Sequence, residues 1–96
     1  MSPQKRKKLS KIRSELDKLD NSLIKLIKKR TNLVKKVLNL KESRNQIVDQ
    51  KRIKFILKNI KKKSLKNKID PKITNRIWKN MIWSYIDYER RNFKKK

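Results

Sequence analysis

The sequence lacks cysteine, histidine and glycine altogether, and each absence argues against a class of functional site. Without cysteine there is no disulfide, no thiolate nucleophile and no zinc-finger ligand, which fits a reducing cytoplasm. Without histidine, a transition-metal site or a Ser–His catalytic pair is not expected. Glycine-rich phosphate-binding loops cannot form. The function must therefore depend on lysine, arginine, carboxylate, amide and hydroxyl groups.

Long apolar runs are also missing. Nothing approaches the roughly 18 continuous apolar residues of a membrane-spanning helix. A basic segment opens the chain at residues 1–13, but no apolar run of signal-peptide length follows it. We therefore expect a cytoplasmic protein with no membrane partner.

Acidic residues are scarce: 8 Asp and Glu face 32 Lys and Arg, which gives a formal net charge of +24. One interpretation is a nucleic-acid-binding helical protein, favoured by the run Lys61–Lys63 and the two lysine-rich termini. The other is a solvated lysine coat produced by compositional bias. Because the lysines are scattered along the chain and the few aromatic residues are not interleaved with them, we expect no nucleic-acid partner.

The apolar periodicity predicts an all-α fold of three helices, one long and two shorter. The long helix is expected from about Leu9 to Glu42, because apolar residues recur there at alternating steps of three and four. We call this stripe the seam; it consists of Leu9, Ile12, Leu16, Leu19, Leu23, Leu26, Arg30, Leu33, Val37 and Leu40. The 96 residues are expected to form a single domain, with residues 1–8 and 93–96 as basic, disordered tails.

Two shorter helices are predicted to follow. The second begins at Asp49, whose carboxylate can cap the first amides, and ends at about Lys66. The third runs from about Pro71 to Asn92, after the capping pair Asp70-Pro71. Its expected buried face consists of Ile73, Ile77, Trp78, Met81, Ile82 and Tyr85.

The length of the first helix predicts a dimer. At 1.5 Å per residue it would be roughly 50 Å long, whereas a globule of this size is roughly 26 Å across. One subunit cannot cover the seam over that length. We therefore expect an intertwined homodimer in which the long helices of two chains pack together.

Three cations lie where an anionic ligand could meet them. Arg30 occupies a seam position, so its guanidinium needs an anionic partner, either a ligand or a carboxylate across the dimer. Lys41 follows eleven residues later, on the same helical face and about 16 Å away. Arg13 precedes Arg30 by 17 residues, roughly 25 Å along the helix. In an antiparallel dimer, Arg13 of one chain would approach the Arg30–Lys41 half of the other.

Glu89 is an acidic residue that could pair with these cations. It follows Tyr85 by four positions and therefore lies on the apolar face of the third helix. There it is either a partner for the nearby cations, a hydrogen-bond donor, or a surface residue at a frayed helix end.

These residues together resemble the all-helical (AroQ-class) chorismate mutases over about Leu9 to Asn92. The first helix of that family is matched by Ile12-Arg13, Leu19-Asp20, Leu23, Leu26, Arg30 and Lys41. Its loop and second helix are matched by Asp49 and Arg52. Its third helix is matched by Ile69-Asp70-Pro71, Ile77-Trp78, Met81-Ile82, Tyr85 and Glu89.

The resemblance implies a homodimer that converts chorismate to prephenate in phenylalanine and tyrosine biosynthesis, with no cofactor and no metal. It implies that Arg30, Arg52 and the partner's Arg13 bind the two substrate carboxylates. Lys41 and Glu89 would address the ether oxygen, and Asp49 the region of the ring hydroxyl. A glutamate can donate a hydrogen bond only when protonated, so activity should favour lower pH.

Two positions depart from the mutase pattern. The residue after Arg52, commonly Glu, is Ile53, and a position where Ser is common is Tyr85. Both substrate-binding positions are similar to the isochorismate pyruvate lyases, relatives that perform another pericyclic reaction in salicylate synthesis, whereas Asp49 matches the mutases. The mutase is the favoured function and the lyase is the alternative.

Overall fold

The computed structural model describes residues 1–94, and within them the chain is entirely helical, without a strand. The three α-helices are α1 (Pro3–Leu40), α2 (Gln50–Lys66) and α3 (Pro71–Asn92), with a single 3₁₀ turn at Arg44–Gln46 between the first two. This confirms the predicted all-α class with one long and two shorter helices.

The first helix begins six residues earlier than predicted. Pro3 occupies its first position, the Ser2 carbonyl accepts from the Arg6 amide at 2.9 Å, and the Ser2 hydroxyl accepts from the Lys5 amide at 3.2 Å. The Ser2 hydroxyl thus satisfies one of the amides that a helix leaves unpaired, and Pro3 has no amide hydrogen that needs a partner. Residues 3–8, expected to belong to a disordered tail, are therefore helical. The helix also ends at Leu40, two residues before the predicted Glu42.

The chain divides into two compact units, residues 1–33 and the segment from residue 34 onward. The first unit is the N-terminal part of α1, and none of its residues is buried. Six apolar side chains of its seam are between 53% and 60% exposed: Ile12, Leu16, Leu19, Leu23, Leu26 and Leu33. An apolar stripe of this length is typical of a surface that another helix covers.

In the second unit, capping residues set the ends of α2 and α3. The Asp49 carboxylate accepts from the Arg52 amide at 3.0 Å, and Asp70 accepts from the Lys72 amide at 2.9 Å. These contacts confirm the predicted starts of both helices, and the end of α3 at Asn92 also agrees with the prediction.

A Schellman motif ends α2. The Lys68 amide donates to Leu65 O at 3.2 Å and the Ile69 amide to Ser64 O at 2.9 Å. The motif requires a left-handed residue after the helix, where glycine is usual. In a chain without glycine, Lys68 takes that conformation, with φ of 57°.

The core of the second unit lies where the α1–α2 connection meets α3. Ile47, Ile82 and Ile86 are 3–7% exposed and pack together, with Val48, Ile53, Ile56, Leu57 and Phe93 around them. At the other end of the helix pair, the buried Ser64 hydroxyl pairs with Thr74 Oγ1 at 2.6 Å and donates to Ile60 O. The apolar cluster and the hydroxyl pair together fix α2 against α3.

Part of the predicted α3 face is solvent-exposed in the single chain. Ile73 is 55% exposed and Ile77 is 49% exposed, whereas Ile82 is buried as expected. In the tail predicted at 93–96, Phe93 packs against the core, and residues 95 and 96 lie outside the described part of the chain. No helix within residues 1–94 is long and apolar enough to cross a membrane.

Candidate functional site

An acidic residue lies on the buried face of α3. Ile82, Ile86 and Glu89 follow one another at steps of four and three, so they share one face of the helix. Glu89 is only 5% exposed, close to the values of the two isoleucines. An isolated carboxylate at this depth would be strongly destabilising, and its partner is therefore the key to the site.

That partner is Lys41, the first residue after α1. Its Nζ donates to Glu89 Oε1 at 2.9 Å and to the carbonyl oxygen of Ile47 at 3.3 Å. The two side chains of the ion pair are 17% and 7% exposed, respectively. Removing one member of such a pair generally costs about 3–5 kcal/mol, because the other charge is left buried. The two residues predicted to act on the same substrate atom are thus in direct contact.

The connection that carries Lys41 is held in a defined shape. Gln46 Oε1 accepts from the amides of Glu42 and Ser43, at 2.6 and 3.2 Å, and the Ile47 amide donates to Arg44 O at 3.1 Å. Ile47 itself is 3% exposed in the core. Local hydrogen bonds and the buried Ile47 side chain therefore fix the position of the Lys41 backbone.

Asp49 and Arg52 occupy the first turn of α2. The Asp49 carboxylate is engaged with the Arg52 backbone amide as the helix cap. The Arg52 guanidinium is exposed and lies over the Phe55 ring, with Cζ 5.3 Å from the ring centroid. This contact holds the Arg52 guanidinium extended and accessible to solvent. The cap gives Asp49 a structural role that needs no ligand.

Ile53 and Tyr85, the two positions that differ from the mutase pattern, are both half-buried. Ile53 packs against the cluster of Ile47, Ile82 and Ile86. At this position the chain therefore presents an apolar surface in place of a carboxylate.

Arg13 and Arg30 belong to the first unit and are described with it. Arg13 is exposed and lines a shallow groove along α1, together with Arg6, Leu9, Ser10, Ser14 and Asp17. Arg30 is half-buried on the seam, between Leu26 and Leu33, which are 58% and 60% exposed. Within the first unit, Arg30 thus interrupts an apolar stripe as the sequence predicted.

Sequence reasoning missed two residues beside the ion pair. Arg44 Nη1 donates to the carbonyl oxygen of Arg90 at 3.1 Å, and Arg44 Cζ lies 5.4 Å from the centroid of the Phe93 ring. The sequence predicts a tail at Phe93. An available signal was its aromatic character, which is unusual in a segment otherwise made of lysine.

The family model described as Chorismate mutase type II matches residues 12–90. No curated protein and no solved structure matches the chain.

Proposed function

The chain belongs to the chorismate mutase type II family and is therefore an isomerase, and we propose that it rearranges chorismate to prephenate without a cofactor. The observation that carries the proposal is the buried contact between Lys41 Nζ and Glu89 Oε1. The contact brings together two side chains that could both bind the ether oxygen of chorismate. A cytoplasmic role in phenylalanine and tyrosine biosynthesis is part of the same proposal.

The reaction suits a chain with this inventory of side chains. In the rearrangement an ether C–O bond breaks as a C–C bond forms within one molecule, so no atom enters or leaves. Electron density grows on the ether oxygen in the transition state. Lys41 supplies a positive charge there, and Glu89, when protonated, donates a hydrogen bond. Donors fixed in advance where charge develops are a major source of catalytic rate enhancement.

Arginines are proposed to hold the substrate dianion in its reactive diaxial conformation. Arg30 and Arg52 would each bind a carboxylate, because the planar guanidinium matches carboxylate geometry with two parallel hydrogen bonds. Fixing the conformer lowers the entropic part of the barrier. Asp49 would lie near the ring hydroxyl, with its cap to the Arg52 amide fixing its orientation.

A second copy of the chain is proposed to complete the site. The exposed seam of the first unit repeats at the heptad spacing that allows two identical helices to pack together. The partner's Arg13 would then bind the substrate in trans. The unusual exposure of Ile73 and Ile77 on α3 is consistent with further surface being covered in an intertwined homodimer.

The alternative function is the isochorismate pyruvate lyase, favoured by Ile53 and Tyr85. The apolar packing of Ile53 leaves that position without the carboxylate common in mutases. Asp49 favours the mutase, because it matches the mutase pattern, and in this chain its carboxylate also caps α2. We favour the mutase because the family match covers residues 12–90 under that description.

The decisive experiment follows the loss of chorismate absorbance with purified protein between pH 5 and 8. We expect turnover that Lys41→Gln reduces by about 10²–10³-fold. Lys58→Gln is the matched control, since Lys58 is an exposed lysine on α2 and should leave the rate unchanged.

Pyruvate release from isochorismate is measured in parallel. Pyruvate formation more efficient than chorismate rearrangement would establish the lyase instead. Absence of turnover with both substrates would overturn the proposal.

A further inference from the structure

The end of α3 is attached to the α1–α2 connection at a second point beside the ion pair. Arg44 contributes both contacts: its Nη1 donates to Arg90 O at 3.1 Å, and its guanidinium lies over the Phe93 ring at 5.4 Å. We call this arrangement of Arg44, Arg90 O and Phe93 the clasp.

The clasp satisfies a requirement of the helix end. The last four carbonyl groups of a helix lack an amide partner within it, and Arg90 O is one of these in a helix that ends at Asn92. A cation at the C-terminus also interacts favourably with the helix dipole. Here the cation comes from a distant part of the sequence, so the contact fixes α3 to the connection as well as capping it.

Phe93 anchors the same point from the other side. Its ring packs against the cluster of Ile47, Ile82 and Ile86 while its face receives the Arg44 guanidinium. The aromatic ring therefore links the core to the guanidinium, and a cation over an aromatic face is attracted by the ring quadrupole.

The residues of the clasp are adjacent to those of the ion pair. Glu89 directly precedes Arg90, and Lys41 lies three residues before Arg44 on the same connection. Any slip of the last turn of α3 along the connection would change the separation of Lys41 Nζ and Glu89 Oε1, now 2.9 Å. Two attachments fix that separation more tightly than one.

We propose that Arg44 and Phe93 are positioning residues that hold Glu89 and Lys41 in register for catalysis. The inference rests on the proposed function, since it assigns a purpose to the clasp within the same site. Arg44 is itself exposed, so its contacts add little to folding stability. Their main effect is on the relative position of the Lys41 and Glu89 side chains. Small displacements of catalytic groups are costly: about 1 Å can reduce a rate about 10²-fold.

The kinetic test compares Arg44→Gln and Phe93→Leu with the control Arg91→Gln. Arg91 lies in the same helical turn, but it pairs with Asp87 on an exposed surface, at 2.9 Å. We expect the first two variants to lower kcat about five- to tenfold with KM within about twofold, and the control to match the wild type. Phe93→Tyr keeps the ring and should restore kcat.

A double variant tests whether Arg44 and Phe93 act together or independently. Because Arg44→Gln already removes the guanidinium from the Phe93 ring, adding Phe93→Leu to it should reduce kcat little further. Equal kcat values for Arg44→Gln and Arg91→Gln, or a change confined to KM, would overturn the proposal.

Amide hydrogen exchange tests the clasp independently of mutase activity. In the substrate-free protein, Arg44→Gln should speed exchange in residues 89–93, and Arg91→Gln should not. If the wild type turns over neither substrate while this difference holds, the proposed function fails and the clasp stands. Unchanged exchange in Arg44→Gln contradicts the clasp whatever the activity.

Discussion

The two units of this chain are helical in the same way but differ in what they bury. The first unit consists of one helical segment and two preceding residues, none of them buried, whereas the second unit encloses Ile47, Ile82 and Ile86 and an ion pair. The first unit nevertheless has the more regular apolar pattern. Regular periodicity therefore indicates a surface prepared for another helix, and it does not show that the covering helix is in the same chain.

The largest effect should come from placing a charge on the seam. Leu23→Asp would put a carboxylate into the proposed helix–helix interface, at a cost of about 3–5 kcal/mol. We expect the variant to sediment as a monomer with reduced helical circular dichroism. Asn21→Asp introduces the same charge on the opposite face of α1 and should remain dimeric. A wild-type protein that sediments as a monomer would remove the basis of this prediction.

The next largest effect concerns the charged residue within that seam. Arg30→Ala should reduce kcat/KM on the order of 10³-fold while the protein stays a folded dimer, because the lost guanidinium is proposed to bind a substrate carboxylate. Lys29→Ala removes a neighbouring exposed cation and should have little effect. Steady-state kinetics and sedimentation together check this prediction. Loss of the dimer in Arg30→Ala would instead assign the residue to the interface.

A smaller effect should come from Glu89 in the second unit. A carboxylate that accepts from Lys41 cannot donate a hydrogen bond to substrate, whereas the side-chain amide of Glu89→Gln can. We expect Glu89→Gln to rearrange chorismate faster than the wild type, on the order of tenfold at pH 8. Steady-state kinetics of the two proteins check this prediction, and equal rates would contradict the proposed role of Glu89.

The smallest effect concerns backbone conformation after α2. Lys68→Gly should raise the free energy of unfolding by about 0.5–1 kcal/mol, since glycine adopts a φ of 57° without the steric cost of a Cβ. Lys62→Gly, in the exposed interior of α2, should lower it by about 1 kcal/mol. Thermal unfolding measures both changes, and shifts of the same sign would refute the assignment.

The ends of the helices could be predicted where the sequence contains clear capping residues. Asp70-Pro71 and Asp49 are strong caps, and α2 and α3 begin where those residues predicted. Ser2-Pro3 carries the same kind of signal, but the lysines after it favoured a disordered tail. The true end of α1 at Leu40 also matters for the site, because the angular relation drawn from Arg30 assumed that Lys41 was helical.

The sequence offers clearer signals for candidate site residues than for the packing around them. Glu89 could be selected because it is a charged residue on an apolar face, and Lys41 because of its spacing from Arg30. The burial of individual side chains could not be predicted from the sequence pattern. Ile47 lies in the polar α1–α2 connection but is only 3% exposed, whereas Ile77 lies on the apolar face of α3 but is 49% exposed. Periodicity identifies a face, but tertiary contacts decide which part of that face is covered. The clasp was missed because Arg44 and Phe93 are separated by 49 positions and follow no local pattern.

The two hydrogen bonds of the Lys41 ammonium restrict its rotation. An ammonium has three N–H bonds in fixed tetrahedral directions, and two of them point to Glu89 Oε1 and Ile47 O. Rotation about the Cε–Nζ bond is thereby arrested, and the direction of the third N–H is set by the fold. A flexible lysine would have to lose this rotational freedom during each turnover. Here the freedom is lost once, when the chain folds.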